Sequence, residues 1–345
     1  MNRRGFLQAI SAATLMNSVM PSRGATRERD AGRYIMTVRG KVGVEDIGTA
    51  LTHEHALANF QPYAEWLEAP HRYDREVVIQ RVLPHLERIR ELGCRTFVDA
   101  TAVGLGRDPI LLRELSRRSR LHLLTVTGNY AAFDYKFLPD YVRTDSVEAL
   151  ADRWIREWHD GIEGTGVRPG FIKLGFNGGA LSDVEQKLVH AAAITHRATG
   201  LTIGAHTGPA VAAYEELAIL ERAKVDPSAW IWIHAQNEND PARYEDAARR
   251  GAWISLDGVS PESLDAHVDR IFGLREKGLL GRVLVSQDAG WYWVGEPDGG
   301  KFRAYDTVFT ALIPALRARG LTKAEIKTLF VKNPADAFAV RVRAG

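Results

Sequence analysis

The chain has 345 residues, with 45 Lys+Arg against 43 Asp+Glu, a formal net charge of +2 and one cysteine. A near-neutral balance with no basic block excludes nucleic acid or an anionic membrane as the partner. The lone Cys94 excludes an intrachain disulfide and reads as a small buried hydrophobe.

The chain opens Met1-Asn2-Arg3-Arg4-Gly5-Phe6-Leu7, continues through an apolar, Ala/Ser-rich stretch from Ala9 to Met20, and reaches small residues at Ser22, Gly24 and Ala25. A charged start, a short apolar run and a small-residue exit predict a secretory signal over about residues 1–25. The adjacent arginines make it a twin-arginine signal, on a route for proteins that fold and take up cofactors before export, so the expected location is the periplasm. Without Arg3, Arg4 and Arg23 the balance becomes 42 basic against 43 acidic residues. No later stretch reaches about 18 uninterrupted apolar residues, so no membrane span is expected after the signal.

Two β-like runs between Tyr34 and Gly48 flank Gly40-Lys41 and predict a hairpin. Next comes Leu51-Thr52-His53-Glu54-His55, an apolar run ending in His-x-His. On a strand the two imidazoles emerge side by side while Glu54 points away. That is half of a metal site, or a pair of histidines packing a strand end. Helical periodicity follows from about Asp74 to Leu92, a strand over Arg95–Asp99, a helix over Pro109–Arg118 and a strand over Leu121–Thr127. The chain then alternates an amphipathic segment Ser146–Trp158, a strand Phe171–Leu174, a helix from Ser182-Asp183 to Thr199, a strand Leu201–Ala205 and a helix Val211–Lys224. A strand Trp230–Ile233, a helix Pro241–Arg250, a strand Ala252–Leu256, a helix Leu264–Glu276 and a strand Arg282–Val285 come next. Helices at about Tyr305–Arg319 and Thr322–Val331 end the pattern.

Eight strands, each followed by helix-length sequence, imply βαβ units and a parallel sheet. In about 300 residues they fit an α/β chain folded as a (β/α)8 TIM barrel, with a short N-terminal β-hairpin and a C-terminal extra helix. No repeat or linker divides the chain, so one domain is expected over residues 34–340.

Such barrels keep their chemistry at the C-terminal ends of the strands. His53 and His55 end the first strand, Lys173 lies on the fourth, His206 ends the fifth, His234 the sixth, and Asp288 follows the eighth. These six converge. The other histidines (His71, His85, His122, His159, His190, His196 and His267) fall on helices, in loops or at a strand start and read as solvated or packed. Imidazoles and a carboxylate suit borderline divalent metals, with zinc the usual occupant. A lysine among them is either an ion-pair partner or has been made anionic, and carbamylation by carbon dioxide would turn Lys173 into a bidentate bridge. In the loop after the eighth strand, Trp291, Tyr292 and Trp293 could wall an apolar pocket or, alternatively, pack as a lid or make a homodimer contact.

From about Tyr34 to Ala339 the chain resembles the phosphotriesterase family of the amidohydrolase superfamily, including its lactonase branch. The motifs are Leu-Thr-His-Glu-His at His53 and His55, Gly104-Leu-Gly-Arg-Asp108, Thr127-Gly-Asn-Tyr130, Ile172-Lys173, the single His206 and His234, Ser286-Gln-Asp288 and Asn333-Pro334. The resemblance implies that His53, His55 and Asp288 hold one metal, His206 and His234 the second, and carbamylated Lys173 bridges them with a hydroxide. It also implies that Tyr130 approaches the bridging solvent and the substrate, and that Asp288 receives the proton. Two departures bear on substrate. Leu256-Asp257-Gly258 stands where the lactonase branch has Leu-Asp-Arg, and Ile233-His234-Ala235-Gln236-Asn237-Glu238 replaces an Asp-rich turn, which puts Gln236 and Glu238 among the pocket candidates.

The expected activity is hydrolysis of a lactone or other carboxylic ester, with promiscuous phosphotriester hydrolysis. An organophosphate hydrolase of the aryldialkylphosphatase type is the alternative, and an exported, non-catalytic metal- or solute-binding barrel is a third reading. The partner in each case is a small molecule.

Overall fold

A computed structural model of the protein describes residues 32–68 and 72–345. The export signal read at 1–25 and His71 lie outside the described residues. The hairpin forms as an antiparallel pair of β1 (Tyr34–Thr37) and β2 (Gly40–Gly43). Then come β3 (Thr49–Ala58), β4 (Cys94–Asp99), β5 (His122–Leu124), β6 (Val126–Thr127), β7 (Phe171–Gly175), β8 (Ile203–His206), β9 (Trp230–Ile233), β10 (Trp253–Leu256), β11 (Val283–Val285) and β12 (Gly290–Trp293).

From β3 to β11 the strands pair in parallel and in chain order, so that consecutive strands are neighbours. β5 and β6 are one strand path interrupted at Thr125, whose carbonyl accepts the Gly170 amide at 2.7 Å while the hairpin reaches in through Val38 N to Leu123 O at 2.8 Å. The last seam lies between β11 and β3. It is closed without a regular ladder, by Thr52 Oγ1 on Val285 O at 3.4 Å, His53 N on Ser286 Oγ at 3.0 Å and Asp288 N on His53 O at 3.1 Å. The architecture is the expected (β/α)8 barrel.

Local chemistry sets the helices. Asp74 caps Arg75–Glu91 through the Glu76 amide, Asp108 caps Pro109–Ser119 with proline at the first helical position, and Ser182 forms a capping box with Glu185 ahead of Asp183–Thr199. Strand alternation sorts the side chains. On β9, Trp230 and Trp232 pack toward the helical layer, while Ile231 and Ile233 join Ile35, Phe171, Trp253, Leu284 and Phe338 in a second cluster. That cluster includes hairpin and C-terminal residues, so the hairpin and the last helix plug the N-terminal end of the barrel and the polar residues collect at the other.

Two segments differ from expectation. The C-terminal helices are broken by π-turns at Val308–Leu312 and Thr328–Lys332, each followed by an α-segment with proline near its start, Ile313–Ala318 and Asn333–Phe338. Pro314 and Pro334 have no amide to return to the preceding turn, and the helix re-registers around them. Beyond the eight expected strands, β12 adds to β3 in parallel, pairing Gly290 with His55.

Candidate metal centre

The register of β3 against β4 shifts between Leu51 and Glu54, an irregularity of the kind that re-aims side chains; His53 lies within it and His55 just beyond it. Their Nε2 atoms lie 3.3 Å apart. The partners of the Nδ1 atoms decide the tautomers. His53 Nδ1 lies 3.0 Å from Asp257 Oδ2 and His234 Nδ1 2.7 Å from Asp257 Oδ1. Asp257 is fully buried; although burial opposes it, His234 and His53 hold its carboxyl well below the usual range. It is therefore an acceptor only, and both imidazoles donate to it. His55 Nδ1 lies 2.8 Å from Thr101 Oγ1, whose own hydrogen goes to Leu57 O at 3.2 Å, so His55 donates as well. Three Nε2 lone pairs thus face inward, two of them 3.3 Å apart with no proton between. Such an arrangement fits a shared cation.

Asp288 completes the set. Its Oδ1 stands 3.1 Å from His55 Nε2 and 3.7 Å from His53 Nε2, its Oδ2 4.0 Å from His234 Nε2, and Oδ1 is buried without an aligned hydrogen bond. Atoms of His53, His234 and Asp288 lie within 4.8 Å of one another, close enough to share an ion. His206 packs edge-on against His234 at 4.3 Å between ring centroids. Lys173, fully buried on β7, reaches 3.5 Å from His53 Nε2. All six predicted residues therefore meet at one place.

Burial, then Lys173, pushes His53 down to about 4, and burial with His234 and Lys173 holds His206 well below its ordinary value. For His234 burial is outweighed by Asp257 and its pKa rises. Burial pushes Lys173 down to about 8. Asp288 is held well below the carboxylate range; burial opposes this, and His53 and His55 outweigh it. Glu54 points away, as expected, and burial pushes its carboxyl up to about 8 while its hydrogen bonds pull the other way.

The phosphotriesterase family profile matches residues 33–338. The chain belongs to the phosphotriesterase family. It is 27% identical over 295 residues to the phosphotriesterase homology protein of Escherichia coli K12, covering 84% of this chain and 98% of that protein. It is 26% identical over 313 residues to an aryldialkylphosphatase of Saccharolobus solfataricus, covering 87% and 98%. A solved mutant of a phosphotriesterase-like lactonase from Deinococcus radiodurans superposes with a TM-score of 0.80 at 28% identity, covering 88% and 99%. The protein is thus a hydrolase of a metal-dependent family within the amidohydrolase superfamily.

Around this phosphotriesterase-family centre the pocket candidates separate. Trp291 stacks on the His55 ring at 3.9 Å and donates from Nε1 to Asp288 O at 2.8 Å. Trp293 is 43% exposed and meets Phe60 edge-on at 4.6 Å. Tyr292, between them, turns into the hydrophobic core, because neighbours on a strand face opposite ways. Gln236 is occupied by Asp257, donating to Oδ1 at 3.0 Å and accepting its amide at 3.2 Å. A Cβ on Gly258 would meet Gln236 Nε2 at 2.8 Å, so Gln236 fills space that a side chain at 258 would need. Glu238 is committed to the amides of Ala210 and Asp240, both at 2.8 Å. Tyr130 is buried with its ring 5.2 Å from His206; burial, then Asp288, raises its pKa well above the ordinary value, so it stays a phenol. It lies over Gly175, where a Cβ would come within 2.3 Å of its ring.

Sequence reasoning missed Asp257, Thr101, Phe60 and Phe133. Asp257 satisfied the same positional rule, a titratable residue leaving a strand end. Phe133, 59% exposed and 6.3 Å from both Tyr130 and His206, gave no such signal. Of the other histidines, His196 holds Leu201 O and the Arg343 amide, His85 stacks on Phe302 and His267 lies on Ser263 O, all outside the centre.

Proposed function

We propose that the protein is a binuclear metal-dependent hydrolase of lactones or other carboxylic esters, with phosphotriester hydrolysis as a secondary activity of the same site. The observation that carries this is the meeting of His53, His55, His206, His234, Lys173 and Asp288 with three Nε2 lone pairs turned inward. Two divalent ions, one on His53, His55 and Asp288 and one on His206 and His234, with zinc the natural fit, would supply an activated water and polarise the electrophile.

The chain's own residues do the rest. Asp257 keeps two imidazoles in the ligating tautomer. Lys173, lowered to about 8, has a larger neutral fraction than an exposed lysine. Its amine lone pair can attack carbon dioxide and release a proton, leaving an anionic carbamate suited to lie between two cations. Asp288, with Oδ1 unengaged, accepts the proton from water and passes it on. Tyr130, kept a phenol, can protonate the leaving alkoxide of an opened lactone. The second reading, a true organophosphate hydrolase, is favoured by Gly258 with Gln236 in its space and by the aromatic rim, which suits aryl groups.

Lactone and aryl phosphotriester panels on the metal-loaded protein and its Tyr130→Phe variant separate the two. The variant should lose about a hundredfold on lactones, the size of a lost general acid, and almost nothing on aryl phosphotriesters with good leaving groups. Equal losses on both classes would make Tyr130 a packing residue of the barrel mouth and remove the main reason for preferring lactones, and a wild type faster on phosphotriesters would favour the second reading.

A further inference from the structure

The middle residue of His-x-His has no part in the chemistry above, yet it is the most heavily engaged acceptor on β3. Glu54 is 0% exposed. Its Oε1 accepts Ser286 Oγ at 2.7 Å and the Gln287 amide at 3.0 Å, with Gln287 Nε2 at 3.4 Å, and its Oε2 accepts the Ala289 amide at 2.8 Å. Ser286 Oγ already accepts the His53 amide at 3.0 Å, so its hydrogen is free for Glu54. Every group aimed at Glu54 is a donor.

Those donors flank one residue. The amides of Gln287 and Ala289 lie on either side of Asp288, which sits at φ +50, a left-handed conformation that side-chain-bearing residues adopt only when their surroundings hold them there. A turn with one left-handed residue brings neighbouring amides together into an anion-holding concavity. Here the acceptor is supplied from within the chain: burial pushes the Glu54 carboxyl up, but with donors on every side it is engaged through its oxygens as an acceptor. With its flanking amides on Glu54, its own amide on His53 O, and its carbonyl on Trp291 Nε1 and Arg303, Asp288 can project its carboxylate only away from Glu54, toward His53, His55 and His234. Gly290 completes the turn at φ +101, where a Cβ would lie 1.8 Å from His55 O.

We propose that Glu54 is the positioning residue for Asp288: an internal carboxylate, presented by the strand that carries His53 and His55, that shapes the turn after β11 and aims the open carboxylate at the metal centre. This deepens the proposed site and rests on Asp288 being a ligand and proton acceptor. Glutamine at 54 would keep the shape but set an NH2 group against donors, and the turn would relax.

The test is a cycle of Glu54→Gln, Asp288→Asn and the double variant, read by metal titration, by kcat and KM, and by thermal unfolding. Glu54→Gln should fold, weaken one of two metal equivalents about ten- to a hundredfold, the range for groups that orient a ligand, and lower kcat with little change in KM. In the Asp288→Asn background it should add less than about twofold, because two residues acting as a unit are not additive. Wild-type metal affinity and kcat in folded Glu54→Gln, or the same loss repeated in the Asp288→Asn background, would overturn the proposal. If Asp288→Asn alone matches wild type, the reading of Asp288 fails first and takes this one with it. Should Glu54→Gln not fold, Glu54→Asp keeps the charge but not the reach to Ala289, and must give the same pattern; wild-type behaviour from it overturns the proposal equally.

Discussion

The exits of the last two barrel strands each carry an aspartate, and the two are used in opposite ways. After β10, Asp257 accepts from His53 Nδ1, His234 Nδ1, Ser255 Oγ, Gln236 Nε2 and the His234 amide. After β11, Asp288 leaves Oδ1 without an aligned hydrogen bond, and its side chain is 26% exposed against 0% for Asp257. A carboxylate whose lone pairs are all taken can only brace its neighbours. One held in place by its backbone, with its side chain left open, can bind an ion and exchange a proton. Residue type does not distinguish the two; the donors around each one do.

The sharpest way to break this contrast is to neutralise each aspartate in turn. Asp257→Asn sets an NH2 group against one Nδ1–H, forces that imidazole into the wrong tautomer and should weaken both metals by roughly a hundredfold. Asp288→Asn should weaken one metal and depress turnover on every substrate. Metal titration checks both, and a loss confined to one equivalent in Asp257→Asn would mean the brace serves only one ion. Lys173→Ala belongs with the first group but should regain part of its metal and activity with a short carboxylic acid. Retained metal and turnover in Lys173→Arg would make that lysine an ion-pair partner.

A smaller effect is expected at the rim. Phe133 is exposed at the rim and makes no hydrogen bond or metal contact through its ring, so Phe133→Ala should leave metal content and unfolding temperature nearly unchanged and raise KM for substrates with long apolar groups on the order of tenfold. A matching fall in kcat for short and long substrates alike would move Phe133 from rim to centre.

The smallest effect comes from another buried carboxylate, Glu216, which accepts Thr207 Oγ1 at 2.6 Å and Trp230 Nε1 at 2.8 Å, with no imidazole against it. Burial pushes it up to about 8 from an ordinary 4.5, the opposite direction to Asp257. The folded state then holds a proton that the unfolded chain gives up. This stabilisation is full below the unfolded value and is lost as pH rises toward 8, at no more than about 1.4 kcal/mol per pH unit. Glu216→Gln should flatten that slope in unfolding temperature measured between pH 5 and 8; an unchanged slope would place the titrating group elsewhere.

The strand order and the six converging residues were legible because apolar runs separated by capped helices carry a clear period, and because strand ends can be counted. β12 was not, since strand recognition depends on a polar face and Trp291, Tyr292 and Trp293 offer none: one packs on His55, one in the core and one on Phe60. Asp257 sits beside Gly258, the position where the motif departs, and its role as a ligand brace is not legible there, because a carboxylate's partners lie in other strands. Glu54 was read correctly as pointing away from its flanking histidines. What it points at, the turn 235 residues further along, no local pattern reveals.

That separation in sequence bears on how the folded ring holds together. The seam between β3 and β11 has little backbone ladder, and the proposed ions would span it, gripping His53 and His55 on one stave and Asp288 beyond the other. A clasp between points so far apart acts on chain entropy, and an ion that binds only the closed ring stabilises it by mass action. Chelation should therefore loosen hydrogen-exchange protection first in residues 49–58 and 283–285, ahead of the central strands, whereas even loosening around the ring would deny the clasp. By this account the metal-free protein is a hoop with its buckle undone.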